Sequence, residues 1–225
     1  MCVMSWKYHT GEEHEVLPLS PEQAQHLLHE VRGQRLDTLL ALALTTGMRK
    51  GEILALRWHD IDLQKGSLQI RRTVKYLAGH GYIEGEPKTA KSRRKITLPD
   101  FVVEKLKQHR AMQLETRLQA GAKWVDRNIV FCNTHGGFLA PMILYRLFAK
   151  ALRDAGLPHI RFHDLRHSAA TLLLSMGVHP KVVQKLLGHS SISMTMNTYS
   201  HILPSMQKDA MNKMDDLFLD NGEAQ

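Results

Sequence analysis

Residues 36–58 read L-D-T-L-L-A-L-A-L-T-T-G-M-R-K-G-E-I-L-A-L-R-W. Leu36, Leu39, Leu40, Ala43 and Leu44 recur at spacings of three and four, the period of a buried helix face. Gly47 closes that segment as a C-terminal stop, and Glu52 to Trp58 reads as the next helix. Gly47 and Gly51 bracket Arg49, so the backbone is expected to turn tightly there and to mount one guanidinium between two rigid elements. Taken alone this motif is weak, because an Arg near a helix start is common and Arg49 has Glu52 to pair with.

Outward from this stretch the pattern is mostly helical. Upstream, Leu19-Ser20-Pro21-Glu22 opens a helix, with Ser20 as N-cap, Pro21 in the first turn and Gln23 at the capping-box position. Downstream, Leu68 to Tyr76 and Arg94 to Leu98 turn β-like around glycine-rich turns at Gly79, Gly81 and Gly85. A small antiparallel sheet of about three strands is expected. Pro99 and Asp100 start a long helix to about Ala120. Ile129 to Cys132 is extended and leads into a Gly136-Gly137 turn. Helices follow near 141–155, 164–176, 180–187, 192–198 and 204–218. The fold class expected is mainly α with a small antiparallel β-sheet. Residues 1–16 form a lead-in, 17–203 one domain, and 204–225 a C-terminal helix with an acidic tail.

Composition narrows the function. At 225 residues, 43% hydrophobic and 23% charged, the chain reads as globular, which excludes disordered, collagenous and coiled-coil classes. No apolar run approaches the ~18 residues of a membrane span, and Met1 to Thr10 lacks the apolar core of a signal peptide. Cys2 and Cys132 cannot build a disulfide framework, so a cytoplasmic protein is expected.

Lys and Arg number 30 against 22 Asp and Glu, a formal net charge of +8. That balance favours a polyanionic partner, nucleic acid before others. The charge is concentrated. Arg71, Arg72, Lys75, Lys88, Lys91, Arg93, Arg94 and Lys95 fall in one stretch with two acids, Glu84 and Glu86. Such a cluster in a folded region suits phosphate contacts, although a solvated hairpin would carry the same lysines. The tail reverses the sign: Asp209, Asp215, Asp216, Asp220 and Glu223 stand against Lys213.

Two further segments carry chemistry. In His163-Asp164-Leu165-Arg166-His167, helical periodicity puts both imidazoles and the guanidinium on one face, near a helix N-terminus whose free N–H groups also favour anions. A forked cation flanked by proton-moving groups suits an oxyanion. The spacing of His163 and His167 also fits two zinc ligands, but the glutamate of H-E-x-x-H is missing and Arg166 would repel a metal. In Leu187-Gly188-His189 a turn presents an imidazole off a helix end, and Tyr199 follows in Asn197-Thr198-Tyr199-Ser200-His201. Singly, each reads as well as a capping His and a packed Tyr.

Four strings occur in order: T-G-M-R-K-G-E-I-L-A-L-R-W at 46–58, P-K-T-A-K-S-R-R-K-I-T-L at 87–98, H-D-L-R-H-S-A-A-T at 163–171 and L-G-H-S-S-I-S-M-T-M-N-T-Y-S-H at 187–201. Together they resemble the boxes of the tyrosine recombinase (phage integrase) family, over about 18–205, its catalytic domain. The resemblance implies that fold and a site-specific DNA strand transferase working without metal or other cofactor. Tyr199 would be the nucleophile, forming a 3′-phosphotyrosyl link and storing the bond energy without ATP. Arg49 and Arg166 would hold the non-bridging oxygens. Lys88 would protonate the 5′-oxygen, with Lys91 as the alternative. His163 would exchange the Tyr199 proton, and His189 would bond a phosphate oxygen, with His167 and Glu52 in support.

DNA-binding contacts are expected from Arg71, Arg72, Lys75, Lys91, Arg93 and Arg94. Leu203, Met206, Ala210, Met214, Leu217 and Phe218 make an apolar stripe. In the resembling family such a segment docks on a neighbouring subunit, which implies self-association on DNA. Members of that family normally carry a helical core-binding domain ahead of the catalytic one. With about 15 residues before the first helix, the chain is expected to be the catalytic part alone. Two readings stay beside this one: a relative that relaxes supercoils with similar residues, and a basic DNA-binding module without catalysis.

Overall fold

The computed structural model describes residues 18–87 and 92–188, with residues 208, 211, 212, 214–216 and 218 beyond them. Expectations resting on the 1–16 lead-in, Lys88, Lys91, His189, Tyr199 and the helix near 192–198 lie outside the described residues.

Seven helices and five strands are described. Helix α1 (Pro21–Glu30) starts as its sequence dictates: the Ser20 hydroxyl accepts from the Gln23 N–H at 3.2 Å, and the Gln23 side chain accepts from the Ser20 N–H at 3.0 Å. Helix α2 (Asp37–Thr46) is the central post, and all its residues but Thr45 are buried. It packs on α6 (Asp164–Ser175) and on the long α4 (Asp100–Ala120), with α1 on a further side. Lys105 on α4 pairs with Asp37 at 2.6 Å. Helix α5 (Pro141–Asp154) backs α1, and α7 (Pro180–Leu187) packs against α6. At roughly 1.5–3 kcal/mol per fully buried large aliphatic side chain, Leu39, Leu40 and Leu42 alone make α2 a principal source of stability.

Two parts depart from the sequence expectation. The helix expected over Glu52–Trp58 is instead the short α3 (Lys50–Leu54). After it the Leu56 carbonyl accepts from the Val130 N–H at 2.9 Å, and Arg57 pairs with Ile129 as an antiparallel bridge. Leu54, Ala55 and Leu56 are all buried, so the chain leaves α3 inside the core, where its backbone pairs with residues 129–130.

The single sheet is in fact two. Strands β1 (Ile61–Asp62), β2 (Ser67–Gln69) and β5 (Lys95–Thr97) form a three-stranded antiparallel sheet in the order β1-β2-β5, while β3 (Thr73–Leu77) and β4 (Gly81–Gly85) form a separate hairpin. The break falls at Ile70–Arg72, where the Arg72 guanidinium turns back to the buried Asp60 carboxylate at 2.7 Å.

The two glycines around Arg49 serve different ends. Gly47 is the left-handed C-cap of α2, at φ 59°. Gly51 lies within α3 and is small because β3 comes close: a Cβ there would stand 2.5 Å from Thr73 Oγ1 and 2.6 Å from the Val74 carbonyl oxygen. The Gly51→Ala change is therefore expected to destabilise by about 1–3 kcal/mol in urea unfolding, as overpacking does. Gly85→Ala, with open space around its Cβ, is expected to stay within about 0.5 kcal/mol.

Candidate active site

The site forms where α2 ends, α3 begins, α6 starts and α7 stops. Its foundation is Glu52, with a side chain 2% exposed. The Glu52 carboxylate accepts from the Arg49 N–H at 3.0 Å and from Arg49 Nη1 at 2.9 Å. It also accepts from Arg94 Nη2 at 3.2 Å and Nη1 at 3.4 Å. Burial alone would raise this carboxyl's pKa, but the Arg94 charge and the hydrogen bonds hold it below the usual carboxylate range. Glu52 is thus an anion that fixes two cations. Arg49 keeps a side chain 37% exposed, so part of it still meets solvent.

Arg166, in the first turn of α6, is buried. Its Nη1 donates to the Gly47 carbonyl at 2.7 Å. Its Nη2 is buried and has no hydrogen-bond partner among the described residues. Burial, with the neighbouring Arg49 and Arg94 charges, pushes its pKa down to about 9. It remains a cation at neutral pH, crowded by like charges and short of one acceptor. An anion is the ligand such a group lacks.

His163 and His167 stand beside it with ring centroids 5.6 Å apart, one edge-on to the other. Burial, the other imidazole and Arg166 lower the His163 pKa; burial and Arg166 lower that of His167 against the pull of Asp164. At neutral pH both rings are neutral and able to accept a proton. Asp164 anchors this turn: Arg161 donates to it from its backbone at 2.8 Å and from its guanidinium at 3.0 and 3.1 Å.

The structure therefore gathers Arg49, Glu52, His163, Arg166 and His167 into one region. Helix α7 delivers the chain to the same place. Gly188 caps it in the left-handed region, and its carbonyl accepts from Arg49 Nη2 at 3.3 Å. His189 is the next residue. A groove of about 600 Å³ opens alongside, between β5 and α7, lined by Arg94, Lys95, Lys181, Lys185 and Gly188 among others.

The expected DNA-binding residues divide. Arg71, Lys75 and Arg93 are exposed, Arg93 beside Glu86. Arg72 is largely taken up by Asp60. Arg94 departs from the expectation: its side chain is 8% exposed and bonded to Glu52, so it is not a surface phosphate contact. The alternation of buried Arg94, Ile96 and Leu98 with exposed Arg93, Lys95 and Thr97 carries that inward orientation. The sequence reading also passed over Asp60, a buried acid that holds Arg72 at 2.7 Å and lies 3.5 Å from Arg71. It missed Lys181 and Lys185 as well, whose spacing puts them on one face of α7.

A mainly helical domain here brings two arginines and two histidines together, with one buried guanidinium nitrogen lacking an acceptor among the described residues. The chain belongs to the phage integrase family, whose description matches residues 18–206. It is 36% identical over 218 residues to the tyrosine recombinase XerC-like protein of Caldanaerobacter subterraneus subsp. tengcongensis, covering 92% of this chain and 56% of that one. It is 35% identical over 203 residues to an integrase of Streptomyces ambofaciens, covering 87% and 52%. The chain spans just over half the length of these curated relatives. Its fold is similar to that of the Tn1549 transposon integrase, solved in complex with transposon right end DNA. There the TM-score is 0.75 at 24% identity, over 91% of this chain and 67% of that one.

The histidine pair sets a pH dependence. Both rings titrate below an ordinary histidine in the folded protein, so the unfolded chain takes up protons first. Stability is expected to fall as pH drops below about 6.5, and to stop falling on their account once both rings are protonated in the folded protein. Replacing both with Gln is expected to flatten that part of the acid limb, measured by urea unfolding at pH 7.5, 6 and 5.

Proposed function

We propose that this chain, over 17–203, is the catalytic domain of a tyrosine-type site-specific DNA recombinase that cleaves and rejoins double-stranded DNA. The observation that carries the reading is the buried Nη2 of Arg166, without a hydrogen-bond partner among the described residues, within reach of the charge of the partly exposed Arg49. Two fixed guanidiniums can bind the non-bridging oxygens of a phosphodiester and hold the charge that grows on them in a pentacoordinate transition state. Family membership supplies the remaining assignments, residue by residue.

The Tyr199 oxygen attacks phosphorus. The P–O3′ bond stays, the bond to the 5′-oxygen breaks, and a 3′-phosphotyrosyl link forms. The phenolic proton passes to His163, whose neutral state supports that role. Lys88, with Lys91 as the alternative, gives a proton to the 5′-oxygen, and His189 bonds a phosphate oxygen. Rejoining reverses each step with a second 5′-hydroxyl, so neither ATP nor a metal is required. Arg71, Lys75, Lys91 and Arg93 contact the DNA backbone, and the lysines along the groove extend that cationic surface.

The direct test is a nicked suicide duplex carrying a candidate core site. The wild-type chain is expected to leave a protein–DNA adduct stable to denaturant. Tyr199→Phe, which keeps the ring and deletes the oxygen, is expected to leave none. Arg166→Ala and Arg49→Ala are each expected to slow adduct formation by at least ~10²-fold, the scale for losing one preorganised donor. Persistent adduct in Tyr199→Phe would mean that another residue attacks.

We also propose that the C-terminal helix docks on a neighbouring protomer when the protein assembles on DNA. Met214 and Phe218, two members of the apolar stripe, are exposed in the isolated chain, as is Met211. Flexible methionines suit a face that fills a groove on another molecule. Deletion from Ser205 onward is expected to abolish the multimeric complexes seen in native gels with DNA while leaving single-protomer binding. Unchanged multimers would rule out docking in trans.

A further inference from the structure

Arg94 has no part in the assignments above, yet it touches three of the chain segments next to them. Its Nη1 and Nη2 bond Glu52 on α3, the acid that also fixes Arg49. Its Nη1 donates to the Ser92 carbonyl at 3.2 Å, at the end of the connection that carries Lys88 and Lys91. Its Nε donates to the Leu186 carbonyl in the last turn of α7. Gly188 lies directly on the guanidinium: a Cβ there would stand 2.9 Å from Nη1 and 3.2 Å from Cδ and Cζ. His189 follows without an intervening residue.

We infer that Arg94 is a positioning residue for strand transfer: one buried guanidinium holds Glu52, the Ser92 carbonyl and the end of α7 in a single register, and through Glu52 it holds Arg49. The inference rests on the proposed strand-transfer reading. It has an electrostatic side as well. Glu52 carries one negative charge shared between two cations. Were Arg94 absent, that charge would fall wholly on Arg49 and weaken its pull on a phosphate oxygen. By sharing the carboxylate, Arg94 keeps Arg49 fixed and still electrophilic. Lysine cannot reproduce this, because a point charge lacks the planar fork that reaches Glu52, Ser92 and Leu186 together.

The test uses the full 225-residue chain and the nicked suicide duplex under single-turnover conditions at saturating DNA. Arg94→Lys keeps a cation near Glu52 and is the principal variant; Arg94→Ala is the second, since loss of the cation strands a buried acid. Arg94→Lys is expected to slow cleavage by about 10- to 100-fold, the range for a misplaced reacting group. Its duplex affinity and log–log salt slope are expected to match wild type. Added guanidinium ion is expected to restore part of the lost rate in Arg94→Ala. In nitrogen-15 spectra recorded without DNA, the Arg49 guanidinium signal is expected to shift in Arg94→Lys.

Wild-type cleavage rates in Arg94→Lys would overturn the inference. So would a salt slope reduced by about 0.9, the signature of a lost phosphate contact. A wild-type chain that forms no adduct would overturn the strand-transfer reading and the catalytic use of Arg94 with it. That failure is separable, because the Arg49 signal reports the clamp without DNA.

Discussion

The constraint on which the site depends is the burial of one carboxylate. Glu52 is almost wholly withdrawn from water, and a buried anion is tolerated when it is paired and hydrogen-bonded. Meeting that need fixes the neighbourhood. The Arg49 N–H must point at it, so the chain turns into α3 there. Arg94 must face inward, so the residue just before β5 puts its charge on the same side as the buried Ile96. Gly51 must be small, so that α3 can lie on β3 while its acid faces the other way. A basic site is normally hard to hold together, because like charges repel. Here the repulsion between Arg49, Arg94 and Arg166 is offset at close range by Glu52.

Much of this was legible in the sequence, for local reasons. Helix α1 carries its own start signal in Ser20, Pro21 and Gln23, and α4 opens directly after Pro99. Gly47 was readable as a stop because a left-handed cap favours glycine. What could not be read was decided by distant partners. The early end of α3 coincides with pairing to residues 129–130, and the split of the β region falls where Arg72 turns back to Asp60. The site divides in the same way. Arg49, His163 and Arg166 belong to ordered motifs that announce them. Arg94 belongs to a basic run that looks like surface, and its role appears once the alternation of β5 and the acid at 52 are placed together.

The basic stretch also shows why counts of positive charge overstate contacts with a polyanion. Arg72 and Arg94 are spent on internal acids, whereas Arg71, Lys75 and Arg93 meet solvent. The stretch is part scaffold and part surface. An arginine's planar donors suit it to both uses, and neighbours in sequence are sorted between them by which face of a strand they occupy.

The seating of Arg166 on the Gly47 carbonyl ties the cations to the most deeply buried of the described helices. Local openings in proteins range from nearly free, at frayed ends and loops, to as unfavourable as complete unfolding, in the central elements. Helix α2, enclosed on every side, belongs at the upper end of that range, and Arg49 begins three residues after it. The β3–β4 hairpin, with Tyr76, Leu77 and Ile83 open to solvent, belongs near the lower end. Amide exchange would therefore see two regimes within one basic surface: a cationic centre that opens when the whole domain opens, and a flanking ribbon free to breathe on its own.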